Sequence, residues 1–309
     1  MNSQSEILER EKRWSLIAGI ASVGAVALFF IGQIVGRSGV GSPEGTADFL
    51  AALSGHHSTA MLGAVIQGIA TVLLAVPLAY LFFAALGRSD RMRRGLIAVV
   101  IAGPLFVGIG SIISTSSLLS AADQWKGDQT PAVVKCIDEA QGDSADEVTE
   151  EQKDTCRDDA ATDLRNDQSL TNLAVGLSLS GALGFLIALM YTSLNAMRVG
   201  LLTRFWGSLG MAVGVLLIFP VLQYVALAWF IFLGFLIVGW LPGGRPEAWS
   251  AGVAVPWPVP GEIRQDQDET VIEGSAEEVD PSAGDLEAGE PEGSDEGPQG
   301  ELRKRKKRN

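Results

Sequence analysis

The hydrophobic pattern of the chain is a series of long uncharged runs, without the single polar face that a helix of a soluble protein normally keeps. Five stretches contain no Asp, Glu, Lys, Arg or His: residues 14–36, 58–87, 95–122, 168–197 and 205–244. A hydrocarbon core of about 30 Å is crossed by roughly 20 helical residues. The pattern therefore predicts an all-α fold, a polytopic bundle of transmembrane helices, with one helix for each of the first four stretches.

The fifth stretch is too long for one crossing and contains Phe219 and Pro220 near its middle. Proline removes a backbone donor and disfavours helix at the residue before it. We therefore predict two helices joined by a turn near Pro220, which gives six spans. A tilted single span preceded by an interfacial segment is the alternative, with five spans. The six predicted spans cover about residues 14–36, 59–86, 95–121, 170–197, 205–220 and 222–241.

Connections rich in Lys and Arg alternate along the chain with connections that have few basic residues or are acidic, and this alternation predicts an orientation. Three basic residues precede the first run, four arginines lie within residues 88–94, and residues 198–204 have an arginine at each end. Between them, residues 37–57 carry Arg37 as their one lysine or arginine, and residues 122–167 are strongly acidic. Connections rich in Lys and Arg stay in the cytoplasm. We expect a multi-pass protein of the cell membrane with a cytoplasmic N-terminus and, if six spans hold, a cytoplasmic C-terminus.

The net charge of −13 is concentrated in two segments, residues 122–170 and 242–309. Cys136 and Cys156 both lie in the first of these, on the side that the charge pattern places outside. Disulfides persist in oxidising compartments. We predict that residues 122–169 form an extracytoplasmic helical hairpin clipped by a Cys136–Cys156 disulfide, and two unpaired thiols are the alternative.

Short signals locate the two helices of this hairpin. Thr130 and Pro131 have the types that open a helix, and Gly142 is a stop signal. Ser144 and Glu147 have the spacing of a capping box, which predicts the start of the second helix.

Residues 242–309 are rich in Gly, Pro, Asp and Glu and lack aliphatic periodicity beyond residue 262. Such a segment buries too little apolar surface to offset its ordering entropy, so we predict a disordered tail. A basic cluster ends it: Arg303, Lys304, Arg305, Lys306, Lys307 and Arg308. This cluster is a candidate for binding anionic lipid headgroups, and folding back on the acidic tail is the alternative.

The predicted spans lack ionisable side chains, on which ion-coupled carriers and proton relays rely. Three amides within them are candidates for lining a ligand cavity, namely Gln67, Asn172 and Asn195. Such amides more often hydrogen-bond between helices. His56 and His57 are adjacent and point about 100° apart on a helix, which makes them a poor chelating pair.

No nucleotide loop, nucleophile elbow or HExxH motif is present in the sequence. We therefore expect no metal or other cofactor, and we rank an enzyme last. A membrane scaffold or interaction protein is the first hypothesis, and an uncoupled carrier or channel for a small neutral solute is the alternative. The expected partners are the lipid bilayer and proteins that bind the acidic loop or the tail, and no nucleic acid. The oligomeric state stays open.

Two segments and one helix pair resemble a family of bacterial six-helix integral membrane proteins defined by a domain of unknown function. The segments are EKRWSLIAGI at residues 11–20 and LAYLFFAALGRSDR at residues 78–91, and the helix pair surrounds Phe219 and Pro220. The resemblance covers roughly residues 12–241 and implies a bacterial six-helix bundle with no catalytic residues to carry over. The acidic loop and the long tail depart from it.

Overall fold

The computed structural model describes residues 3–41, 43–142, 148–217, 222–241 and 243–257, and this part of the chain is all-α. It forms two short 3₁₀ helices, Arg94–Leu96 and Gly127–Gln129, and eleven α-helices: α1 (Ser3–Arg37), α2 (Thr46–Ser54), α3 (His57–Leu73), α4 (Ala75–Leu86), α5 (Ile97–Gln124), α6 (Pro131–Gly142), α7 (Glu150–Asn166), α8 (Thr171–Arg198), α9 (Arg204–Leu216), α10 (Gln223–Val238) and α11 (Glu247–Ala251). The predicted all-α class is confirmed for these residues.

Four helical segments are long and apolar enough to cross a membrane: Leu8–Arg37, His57–Leu86, Arg94–Gln124 and Thr171–Arg198. They coincide with the first four predicted spans. Large apolar side chains remain exposed along them, for example Ile34 at 72% and Val175 at 60%. Soluble monomers rarely expose extended apolar surface, so this surface is that of a membrane protein.

The remaining two predicted spans correspond to shorter helices. α9 has 13 residues and α10 has 16, whereas a full crossing takes roughly 20. The predicted turn at Pro220 lies outside the described residues. The count of six spans therefore stays a prediction.

α10 runs antiparallel to α1. Tyr224, at the start of α10, stacks on Phe30 in the second half of α1, with ring centroids 6.1 Å apart. Further along α10, the backbone oxygen of Phe230 accepts a hydrogen bond of 2.6 Å from Ser22 Oγ. The chain therefore returns to the end of the bundle at which α1 begins. We call this end, which carries Arg10, Arg88 and Arg94, the basic end, and the opposite end the acidic end.

The second span consists of two helices because the helix is interrupted near Pro77. The backbone N–H of Leu74 is shared between the oxygens of Ala70 and Thr71 at 3.3 and 3.2 Å. Pro77 has no N–H to donate, and its ring crowds the carbonyl four residues earlier. The regular hydrogen-bond pattern of the span is therefore interrupted between α3 and α4.

On the acidic-end side of this break, α3 lies tightly between α1 and α5. A Cβ on Gly63 would stand 2.8 Å from the oxygen of Gly32, so only glycine allows α1 to approach this closely. Beyond the break, α4 lies inside the bundle, where Leu78, Leu81 and Phe82 are fully buried. Its inward position leaves a groove between α1 and α5.

Residues 243–257 correct the predicted boundary of the tail at residue 242, because they pack on the bundle. Trp249 is 4% exposed, and its Nε1 donates to the oxygen of Leu201 at 2.9 Å. Trp257 Nε1 donates to the oxygen of Leu202 at 2.8 Å. Indole N–H donors thus tie a segment with few aliphatic residues to the α8–α9 connection. Residues 258–309, which include the basic cluster Arg303 to Arg308, lie outside the described residues.

Candidate functional site

A buried ion pair at the basic end joins α1 to the end of α4. The Arg88 side chain is fully buried and that of Glu11 is 9% exposed. Arg88 forms a two-point contact with the Glu11 carboxylate, in which Nη2 donates to Oε2 at 2.9 Å and Nη1 to Oε1. Arg88 also donates to the oxygens of Ala84 and Ala248 at 2.9 and 3.0 Å. This pair therefore fixes three chain segments to one another.

Trp249, in the docked segment 243–257, covers this ion pair. Its ring stacks on that of Tyr80 with centroids 6.0 Å apart. The guanidinium groups of Arg88 and Arg245 lie 5.9 and 5.6 Å from the Trp249 ring, within cation–π range. Tyr80 in turn donates to the backbone oxygen of Glu11 at 3.1 Å. The cluster of Glu11, Tyr80, Arg88 and Trp249 is a closed polar junction.

A groove of about 640 Å³ adjoins this junction. Its floor is one face of the second span from Val72 to Ala84, and its walls are α1 from Arg10 to Ala18 and α5 at Ile101. Trp14 and Ile101 on the walls are exposed, so the groove opens sideways on the apolar surface of the bundle. We call it the basic-end groove.

At the acidic end, α2, α6 and α7 form a subdomain that we call the acidic platform. Cys136 in α6 and Cys156 in α7 lie at disulfide distance, with Cα atoms 5.8 Å apart. The predicted helical hairpin is present, with α6 beginning at Pro131 and ending at Gly142. The second helix begins later than predicted, because Thr149 and Gln152 form its capping box. Ser144 and Glu147 lie outside the described residues.

Two charged contacts fix the platform. Arg157 binds Asp128 at two points, with Nη2 to Oδ2 at 2.7 Å. This hydrogen bond lowers the pKa of Asp128, and it raises the pKa of Arg157. The ion pair therefore persists as the pH falls below the usual range of an aspartate. Asp158 accepts a hydrogen bond of 3.0 Å from Ala47 N at the start of α2, where a negative charge stabilises a helix.

The apolar side of the platform packs on the bundle through buried residues: Val40, Leu50, Leu53, Ala60, Ala121, Ala122 and Ala161. The platform also carries exposed carboxylates, of which Glu151, Asp159 and Asp163 lie on α7. The platform thus presents negative charge on a base held by a disulfide, two charged contacts and an apolar core.

The three amides predicted to line a cavity are dispersed. Gln67 lies against α1, with its Cγ close to Gly32. Asn172 is exposed near the start of α8, and Asn195 near its end donates to Tyr191 O of its own helix at 2.8 Å. Asn172 and Asn195 are about 34 Å apart at about 1.5 Å per residue. None of them lines the basic-end groove, so no observation favours the carrier hypothesis.

The histidines lie at the acidic end, as neighbours of the platform. His57 Nε2 lies 3.3 Å from Asp123 Oδ1 and links α3 to the end of α5. The ring of His56 hydrogen-bonds through Nδ1 to Ala52 O at 3.0 Å. Within the described ranges, no group of three or more His, Cys, Asp and Glu side chains is placed to hold a metal ion.

A second, smaller cavity of about 280 Å³ lies at the basic end between α9, α10 and residues 243–246. Trp206 and Phe232, which stack with centroids 3.4 Å apart, form part of its lining. Trp257 lines it as well.

The sequence interpretation missed the Glu11–Arg88 pair. Arg88 is one of the four arginines within residues 88–94 that indicate orientation, and Glu11 lies among Arg10, Lys12 and Arg13 with no local sign of its partner. The available signal was Glu11 itself, a carboxylate among basic residues at the point where the chain enters the first span.

No family model, no curated protein and no solved structure matches the chain.

Proposed function

We propose that the chain is a non-enzymatic interaction protein of the cell membrane that presents the acidic platform to a protein partner outside the cytoplasm. The observation that carries the proposal is the construction of the platform. A covalent clip, two charged contacts and an apolar base hold an exposed acidic face in a defined position at one end of a membrane bundle. A fixed surface of this kind lowers the ordering cost of binding.

The orientation in this proposal is supported by three independent features. The arginine-rich connections lie at the basic end, which is the pattern of a cytoplasmic face. The disulfide lies at the acidic end, as expected for an oxidising compartment. Residues 243–257 contact Arg88 at the basic end, so the N-terminal and C-terminal described segments share one face. An even number of crossings, and hence the proposed six spans, agrees with this arrangement.

The chemistry of the exposed face defines the partner as a protein with a basic surface. Glu151, Asp159 and Asp163 are exposed on α7. Complementary charge steers association and fixes the register of an interface. The proposed partner therefore carries Lys and Arg opposite α7.

A photo-crosslinking residue in place of Thr162, which is exposed on α7, tests this in native membranes. We expect one discrete crosslinked protein with a basic surface. The triple variant Glu151→Gln, Asp159→Asn, Asp163→Asn should reduce its yield about tenfold, since exposed charges contribute roughly 0.2–1 kcal/mol each. High salt should have the same effect.

The matched control neutralises three exposed carboxylates of the basic end, in Glu9→Gln, Asp90→Asn, Glu247→Gln. This variant should crosslink like the wild type. The proposal is wrong if the wild type gives no discrete product, or if both triple variants lose it equally.

A further inference from the structure

We propose that the basic-end groove holds one anionic phospholipid, with an acyl chain in the groove and its phosphate beside Arg10. This inference is independent of the proposed partner of the acidic platform. It assigns a binding site to a different end of the molecule and to a different ligand.

The shape of the groove matches one acyl chain. Its floor runs from Val72 to Ala84, which is about 18 Å at about 1.5 Å per residue. Half of a hydrocarbon core of about 30 Å is about 15 Å. The groove therefore reaches from the membrane surface to the middle of the bilayer, which is the depth of a single leaflet.

The chemistry of the groove changes along its length. Toward the bilayer centre the lining is apolar, with Val72, Ala75 and Val76. At the other end it contains Arg10, Glu11 and Tyr80. A molecule that fits both parts is amphipathic, with an apolar chain and a polar head.

The charge at the mouth selects an anionic head. Glu11 is neutralised by the fully buried Arg88, so the pair adds no net charge to the mouth. Arg10 lines the mouth and is exposed. Arg94, exposed in the short 3₁₀ turn that precedes α5, adds a second cation at the same end of the bundle. Basic pockets of this kind between transmembrane helices bind anionic headgroups.

The backbone explains why the groove exists. α3 lies between α1 and α5 near the bilayer centre, whereas α4 buries Leu78, Leu81 and Phe82 inside the bundle. Ala75 and Ala79 on the floor have small side chains and leave the space open. The groove is open to the bilayer on the side of Trp14 and Ile101, so a lipid enters by lateral diffusion.

Native mass spectrometry of the delipidated full-length chain, mixed with equal amounts of phosphatidylglycerol and phosphatidylcholine, tests the site. We expect one retained phosphatidylglycerol per chain and a several-fold preference over phosphatidylcholine. Arg10→Gln should weaken phosphatidylglycerol binding about fivefold, the effect of one cation near the surface, and leave phosphatidylcholine unchanged. Inorganic phosphate should not compete, because it lacks the acyl chain.

Filling the groove gives a second test. Ala79→Phe places a ring on the floor and should abolish retention of both lipids. Ala27→Phe is the matched control, because Ala27 is exposed on α1 outside the groove, and it should bind like the wild type. Equal retention of the two lipids by the wild type, or equal binding by the two phenylalanine variants, would overturn the proposal.

Photoactivatable phosphatidylglycerol with the reactive group on its acyl chain supplies a readout on the unaltered chain. Adducts should concentrate in residues 10–18 and 72–84. Adducts spread evenly over the exposed face of α8 would also overturn the proposal, whether or not Ala79→Phe folds.

Discussion

Replacing Arg88 with Met should lower the free energy of unfolding by about 3–5 kcal/mol, because it leaves the Glu11 carboxylate buried without its partner. The loss extends beyond the ion pair, since Arg88 also donates to the oxygens of Ala84 and Ala248. The measurement is the thermal unfolding midpoint of the purified protein in a mild detergent, together with its SDS unfolding curve.

Two variants make this test specific. Combining Glu11→Gln with Arg88→Met removes the uncompensated charge and should recover much of the lost stability. Arg91→Met removes an exposed arginine three residues away and should change the midpoint little. An Arg88→Met protein as stable as Arg91→Met would show that the junction contributes nothing to the fold.

Removing the disulfide should have the second-largest effect and should act on the acidic platform alone. Closing a loop of 20 residues between Cys136 and Cys156 stabilises the closed form by roughly 3 kcal/mol in the chain-entropy model. In the double variant Cys136→Ser, Cys156→Ser we expect faster hydrogen exchange throughout α6 and α7 and unchanged exchange in α5 and α8.

Reduction of the wild-type protein should reproduce this exchange pattern, and the same reductant should leave the double serine variant unchanged. The expectation fails if α6 and α7 exchange at the same rate with and without the disulfide. It fails equally if loss of the disulfide accelerates exchange in the bundle helices, since the platform would then not be a separate unit of stability.

The long uncharged runs predicted the four long apolar helices correctly because a lipid-facing helix excludes charge over its whole length. The helical hairpin was also predictable, since Pro131 and Gly142 are local signals that act within one helix. The start of α7 was misplaced because two capping-box spacings occur close together. Thr149 and Gln152 form the box that opens α7.

The features of the basic end depend on long-range contacts and were not predictable in this way. Glu11 and Arg88 are 77 residues apart in sequence, and nothing local to either indicates the other. Trp249 lies in a segment whose composition resembles a disordered tail, yet its ring is 4% exposed. The groove is lined by residues of α1, the second span and α5, and the approach of these three helices is not apparent from a count of charges.

Labelling of single introduced cysteines with a membrane-impermeant maleimide tests the central claim most directly. Asp163→Cys reports on the platform, and Asp90→Cys and Ser250→Cys report on the basic end, in a background that keeps the disulfide oxidised. We expect Asp163→Cys to react in intact cells, and the other two to react only after permeabilisation. Labelling of Ser250→Cys from outside, or of all three positions in the same compartment, would contradict a chain that crosses the membrane with the acidic platform outside.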